Sequence, residues 1–516
     1  MLWSAGRAWR TDVRRSTPRG RCAGTAVTAR DGAEVSEQRF EGVNVAGVMR
    51  LRAIGQRSSD SGWPLGLMSA PMTDETSSSS TYLRRLGIWS GAAIVVGGVI
   101  GSGIFRTPAT VAERTASGLP LLALWVAGGL LTLAGVLCYG ELGSRRPHAG
   151  GIYLYLREAF GSLPAFLFGW TMALINYPGS VAAVAATFAD YFCRATGLPP
   201  LWSSPVAVGA IFFIVGVNLF GIRAGAWLVN VFTLLKLAAI AMLLVVGLVL
   251  AHGHFGGVIA PDPAHHASGG AWIGAILPVL FTYGGFHYLN DMAGEVRDPQ
   301  RTLPRALTLG LLGVVACYVL ANIAYLVGMG HAGLAASKAP AADLMSHIFG
   351  PRGATIMAIG IACSTFGYCS IAIAGGARVL QTMGADGMFF RSVGQIEPRW
   401  RAPQVALVVL GLWAIVLVIT GTFDQLVNYT TVGEWLGHAF GIATLFWYRR
   451  QFGAQSSPYR VPLYPLLPLV FVCTVLGVII ATVIDTPRDA GMSVVIIVLG
   501  IPVYALWRRW QQRASA

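Results

Sequence analysis

The chain has 516 residues, a mean hydropathy of +0.61 and only 12% charged residues, against roughly 25% in an ordinary soluble domain. Water is not its main solvent, which excludes a soluble globular enzyme for most of its length. The net charge of +14 would suit a nucleic-acid partner, but the basic residues are distributed over alternate loops rather than gathered in one patch, so none is expected.

Residues 1–71 hold eleven arginines, six acids, no lysine and no long apolar run. Such a stretch forms neither a signal peptide nor a core. Residues 1–81 are therefore expected to be a disordered N-terminal segment, with Met68 and Met72 as alternative starts ahead of the polar run 73–81. A membrane domain is expected over 82–510 and a short cytoplasmic tail over 511–516.

Runs without a charged side chain follow at 87–105, 118–140, 159–189, 195–222, 267–290, 306–330, 353–377, 402–423, 461–484 and 490–507. Two more, 224–251 around Lys236 and 425–448 around Glu434, carry one charge each. Crossing a bilayer takes about 20 apolar residues. The pattern predicts an all-α polytopic membrane protein with twelve transmembrane helices. From residue 72 onward, nineteen arginines between Arg84 and Arg513 fall on one side, and Arg106, Arg114, Arg194, Lys338, Arg352 and Arg488 on the other. The positive-inside rule then places both termini in the cytoplasm.

Glycines interrupt the first span at Gly97, Gly98, Gly101 and Gly103, and the sixth at Gly284 and Gly285. Glycine lets the backbone leave helical geometry, although many of the 64 glycines serve only close helix packing. Breaks at corresponding positions five spans apart are the sign of a 5+5 inverted repeat, spans 1–5 and 6–10, with two additional helices and a ligand site where the broken helices meet. Unwinding at Gly101, Ser102 and Gly103 offers backbone N–H groups and a hydroxyl at the start of a half-helix, a setting for a carboxylate. Unwinding at Phe281, Thr282 and Gly284 frees carbonyls that need a donor inside a membrane, and a ligand ammonium supplies one. The two breaks together match the shared part of every α-amino acid.

Three segments carry a family resemblance: GGVIGSGIFRTP at 97–108, GELGSRRPHAGGIYLYLREAFGSLPAFLFGW at 140–170 and FTYGGFHYLNDMAGEVRDPQRTLPRAL at 281–307. They resemble the amino acid, polyamine and organocation transporters, most closely the L-type amino acid transporters and their bacterial relatives, over residues 82–510. The resemblance implies that Ser102 and Gly103 hold a substrate carboxylate. It implies that carbonyls of Val99, Phe281, Thr282 and Gly284 hold its amine, and that Phe281 is an outer gate. Phe286 and His287 depart from the tryptophan and small polar residue that L-type relatives commonly show there.

Lys236, one of two lysines in the chain, sits mid-span, where a charge is expensive. In sodium-independent members that look like this sequence, a span 5 lysine occupies the place of the sodium ion, so no sodium requirement is expected. Whether Lys236 also cycles protons stays open beside a purely structural tether. Glu434 and His438, four residues apart, share a helical face and suit a proton relay, a side-chain pocket or a satisfied structural pair. Glu141 with Arg145 and Arg146, and the cluster Glu295, Arg297, Asp298, Arg301 and Arg305, suit either an inner gate of ion pairs or plain anchoring.

The seven cysteines show no CxxC spacing, and His252, His254, His265 and His266 lie in a loop, so neither a disulfide framework nor a metal site is expected. Animal members of the resembled family pair with a single-span glycoprotein through an outer cysteine. Cys193 lies too close to its span for that, and such a partner is not expected. No nucleotide motif or other cofactor signature is present, so energy comes from gradients or exchange. The expected function is sodium-independent transport of neutral α-amino acids across the plasma membrane by alternating access, through exchange or proton coupling. The alternatives are a polyamine or cationic amino acid permease and a transporter-like amino acid sensor. Oligomeric state is left open.

Overall fold

The computed structural model describes residues 82–250, 271–421, 423–453, 457–485 and 487–515. The segment 1–81 and the loop histidines lie outside the described residues. Among those described, the fold is helical, with two isolated β-bridges and no strands. In chain order come α1 (Ile88–Val99), α2 (Gly103–Ala112), α3 (Gly118–Arg145), α4 (Gly151–Phe160), α5 (Ser162–Thr171), α6 (Tyr177–Thr196), α7 (Ser203–Leu219) and α8 (Ile222–Val245). Then follow α9 (Ala271–Tyr283), α10 (Tyr288–Asp291), α11 (Pro299–Ala335), α12 (Pro340–Ala385), α13 (Gln404–Thr420), α14 (Phe423–Phe452), α15 (Leu466–Asp485) and α16 (Pro487–Ser515).

Among the described residues, seven helical stretches are long and apolar enough to cross a membrane, and the bent pair α1 and α2 makes an eighth; α13 is apolar but shorter. Two of the helices are too long for one crossing. At 1.5 Å per residue, the 37 residues of α11 and the 46 of α12 would far exceed a hydrocarbon core of about 30 Å. Each is broken by a kink at a glycine with positive φ, Gly330 at 69° and Gly350 at 64°, which splits off a short helix.

Apolar residues face outward as well as inward. Trp89, Phe212, Phe213, Leu234, Ile419 and Ile484 are exposed, a distribution that water would penalise and lipid accepts. The interior is comparatively polar: Tyr139, Tyr155, Tyr177, Tyr288, Tyr318 and Tyr325 are fully buried, and their hydroxyls reach groups on other helices.

Several boundaries differ from the sequence expectation. The lysine-bearing helix begins at Ile222, two residues ahead of the run 224–251, and the segment 511–515 is helical, continuing α16. The charge-free run 159–189 conceals a turn at Gly161, whose φ of 88° separates α4 from α5. Between α5 and α6 a single π-turn, Met172–Asn176, inserts into the span. Such turns redirect side chains, and this one ends on Asn176, a residue of the site below.

The two acidic clusters at the ends of these helices pair separately. Glu141 accepts from Arg145 at 2.7 Å and Arg449 at 2.5 Å, and from the Val461 N–H at 2.7 Å, joining α3 to α14 and the segment before α15. Glu295 instead accepts from Arg378 on α12 at 2.8 Å, both side chains being buried. Arg85 and Leu86 donate their N–H groups to the Glu295 carbonyl, and Leu86 accepts from Arg297 N–H, so the chain entering α1 pairs with the segment after α10.

Candidate functional site

Both glycine-marked breaks are present and they touch. The first occupies residues 100–102, with α1 and α2 bent by 45° across it. The second occupies 284–287, between α9 and α10. Gly285 has φ of 87°, and a Cβ there would lie 2.2 Å from the carbonyl oxygen of Gly98. Only glycine permits both the left-handed backbone and this backbone-to-backbone approach.

The carbonyls released in the first break find donors from three other helices. Lys236 donates to the Gly97 carbonyl at 2.8 Å and to the Ile100 carbonyl. Ser364 reaches the Gly101 carbonyl at 3.2 Å and that of Ile100 at 3.4 Å. Tyr318 lies 3.0 Å from the carbonyls of both Val99 and Thr282, one from each break. An unpaired carbonyl inside a membrane costs several kcal/mol, so these donors are what allow the helix to stay open. Lys236 is fully buried, with its amine against the carbonyls of Gly97 and Ile100.

Ser102 is the N-cap residue of α2, is 2% exposed, and its hydroxyl has no hydrogen-bond partner. A buried hydroxyl left unpaired at a helix N-terminus is a ready donor for an anion. Gly103 begins α2 pressed against Thr282, whose Oγ1 would lie 2.5 Å from an added Cβ, and Gly101 faces the ring of Tyr368. Thr282 Oγ1 reaches Thr107 at 3.0 Å and the Pro278 carbonyl at 2.8 Å. The Phe281 carbonyl accepts from Gly284 N–H at 3.1 Å, and the Phe281 side chain is partly exposed. Of the four carbonyls named from the sequence, that of Phe281 accepts a backbone N–H, while those of Val99 and Thr282 share the single proton of Tyr318, so each has a lone pair to offer.

Glu434 approaches the second break from α14. Its Oε1 accepts from the Gly285 N–H at 3.0 Å, and its Oε2 lies 3.4 Å from the Asn176 amide. His438 is 3.5 Å and His287 3.6 Å from Oε1. Asp291, on α10, accepts from Tyr177 at 2.7 Å and lies 3.7 Å from His287. Phe286 packs its ring on His438 at 4.6 Å between centroids.

Sequence reasoning located both breaks, Lys236 and the Glu434–His438 pair, and it missed Tyr318, Ser364, Asn176 and Asp291. The first three were legible only as isolated polar residues within apolar runs; Asp291 lay just beyond one, inside the quoted motif at 281–307. Cys193 is buried near the end of α6 and is not in a disulfide.

A family profile described as amino acid permease matches residues 86–506. The b(0,+)-type amino acid transporter 1 of Mus musculus is 34% identical over 458 residues, covering 86% of this chain and 93% of its own. The Asc-type amino acid transporter 1 of Mus musculus is 30% identical, covering 83% and 82%. The serine/threonine exchanger SteT of Bacillus subtilis is 28% identical, covering 82% and 96%.

Proposed function

The chain belongs to the amino acid permease family, a family of multi-pass membrane transporters, and on that premise we propose that it exchanges α-amino acids across the plasma membrane without sodium. The observation that carries this reading is the pairing of the two breaks. An unpartnered Ser102 hydroxyl at the start of α2 faces a carboxylate, while carbonyls of Val99, Phe281, Thr282 and Gly284 have lone pairs to offer an ammonium. Gly101 and Gly103 let the substrate backbone approach, and Phe281 closes over it. Twelve spans, ten of them in two five-helix repeats and two additional, with both termini cytoplasmic, fit this arrangement.

Sodium independence rests on Lys236. Its ammonium already donates to the carbonyls of Gly97 and Ile100, the groups a sodium ion bound to the first break would use. Exchange fits the relatives named as exchangers or transporters of amino acids, and no glycoprotein partner is needed for the site itself.

A second reading has a specific observation behind it. Glu434 lies beside Gly284, 3.1 Å from where that residue's Cβ would be, so a carboxylate stands at the amine end of the site. That placement would select a cationic side chain. Proteoliposomes carrying the full chain and loaded with leucine or arginine test both. Uptake of labelled leucine driven by internal leucine, unchanged when sodium is replaced by choline, supports neutral exchange. Uptake that needs internal arginine and is abolished in Glu434→Gln supports the cationic reading. Uptake that requires sodium refutes the role given to Lys236.

A further inference from the structure

The polar cluster behind the second break is more elaborate than a substrate amine requires. His287, Glu434 and His438 are all buried, and one ligand atom from each lies within 4.8 Å of the others. His287 Nδ1 and His438 Nε2 stand 3.6 and 3.5 Å from the same oxygen, Glu434 Oε1. Both ring nitrogens of His287, and Nε2 of His438, have no hydrogen-bond partner. Each buried polar atom left in that state costs about 1–3 kcal/mol.

Three features of the cluster fit one explanation. Ligand atoms around a tetrahedral zinc with bonds of about 2.0–2.1 Å are separated by roughly 3.3 Å, and two of the three edges of this cluster, 3.6 and 3.5 Å, are within a few tenths of an ångström of that. The far side of each imidazole is also provided for. His438 Nδ1 is 3.1 Å from the Tyr139 hydroxyl, and His287 Nε2 faces the Asp291 carboxylate, itself held by Tyr177. Metal-binding histidines are oriented by such partners. Finally, among the described residues neither Glu434 nor Asp291 is paired with a lysine or arginine, so a divalent ion would balance two buried carboxylates. A proton added to a nitrogen does not span these gaps, whereas an ion reaching about 2 Å to each ligand does.

The geometry points to a divalent transition-metal site of the zinc class, with His287 Nδ1, His438 Nε2 and the Glu434 carboxylate as ligands and a fourth position open. Two imidazoles and one carboxylate suit zinc or cobalt and not magnesium or calcium, which take oxygen ligands. A bound ion ties the turn at 284–287 to α14, across the place where the broken helix would have to move.

The test uses the full chain purified in detergent, stripped with a chelator, equilibrated with Zn2+ or Co2+ alone and desalted. About one metal per chain is expected, with a four-coordinate visible spectrum for cobalt and a nitrogen/oxygen shell near 2.0–2.1 Å by X-ray absorption. His287→Gln, His438→Gln and Glu434→Gln each abolish stoichiometric retention in chains that still elute as folded protein. Asp291→Asn weakens affinity about 10–100-fold. Replacing His252, His254, His265 and His266 by Asn leaves retention unchanged. The absorption measurement on the unmutated chain needs no variant to fold. Failure of the folded wild-type chain to retain metal overturns the site. So does retention that survives all three ligand substitutions, retention lost with the loop histidines, or a sulfur shell. None of these outcomes bears on whether the chain transports amino acids.

Discussion

Tyr318→Phe removes one oxygen atom and leaves the ring packed on Trp125 at 5.4 Å between centroids, so it isolates the hydroxyl that joins the two breaks. That hydroxyl has a single proton and two acceptors at 3.0 Å, the carbonyls of Val99 and Thr282. Its loss forfeits one net hydrogen bond, about 1 kcal/mol, and leaves a buried carbonyl without its donor, so a total of about 1–3 kcal/mol is expected. In a helical protein of this size that lowers the unfolding temperature by a few degrees. A second consequence separates a binding role from a purely structural one. If those carbonyls also receive the substrate ammonium, saturating substrate restores the missing donor, and ligand stabilisation by mass action should be larger in the variant than in the wild type. Thermal unfolding in detergent, with and without leucine, measures both. An unfolding temperature equal to that of the wild type would show that the bridge contributes nothing. A substrate-induced shift no larger than the wild-type shift would remove Val99 and Thr282 from the amine site.

Gly285→Ala should prevent folding or transport altogether, because its Cβ would press on the Gly98 carbonyl at 2.2 Å from a backbone already at positive φ; monodisperse, active protein would contradict the contact between the breaks. Glu295→Gln leaves Arg378 buried beside a neutral partner, and a loss of about 3–5 kcal/mol is expected in denaturant unfolding, whereas a loss under 1 kcal/mol would mean that the pair is hydrated. Ser102→Ala should raise the transport KM about 10–100-fold by removing a hydrogen bond to a charged carboxylate, with protein stability unchanged because that hydroxyl bonds nothing in the protein. An unaltered KM would take Ser102 out of the site.

The sequence by itself determined the solvent, the helical class and the location of both breaks. These follow from local rules: a run long enough to cross hydrocarbon must be helical, and glycines within it mark where the helix can open. It also marked Lys236 and Glu434 as costly residues, since a charge in such a run needs a partner wherever the run ends up. It could not name those partners. Lys236 reaches Gly97 from 139 positions away, Tyr318 reaches Val99 from 219, and Glu141 meets Arg449 from 308. Helical periodicity placed Glu434 and His438 on one face, yet only the packing of α14 against the second break brought His287 and the Gly285 N–H to that same carboxylate. The period of a helix fixes which residues share its face, but the rotation and crossing of helices far apart in the chain fix what that face meets. In this protein the tertiary structure therefore decided which buried polar groups are satisfied, and Ser102, His287 and His438 are among those it left with polar atoms to offer a ligand.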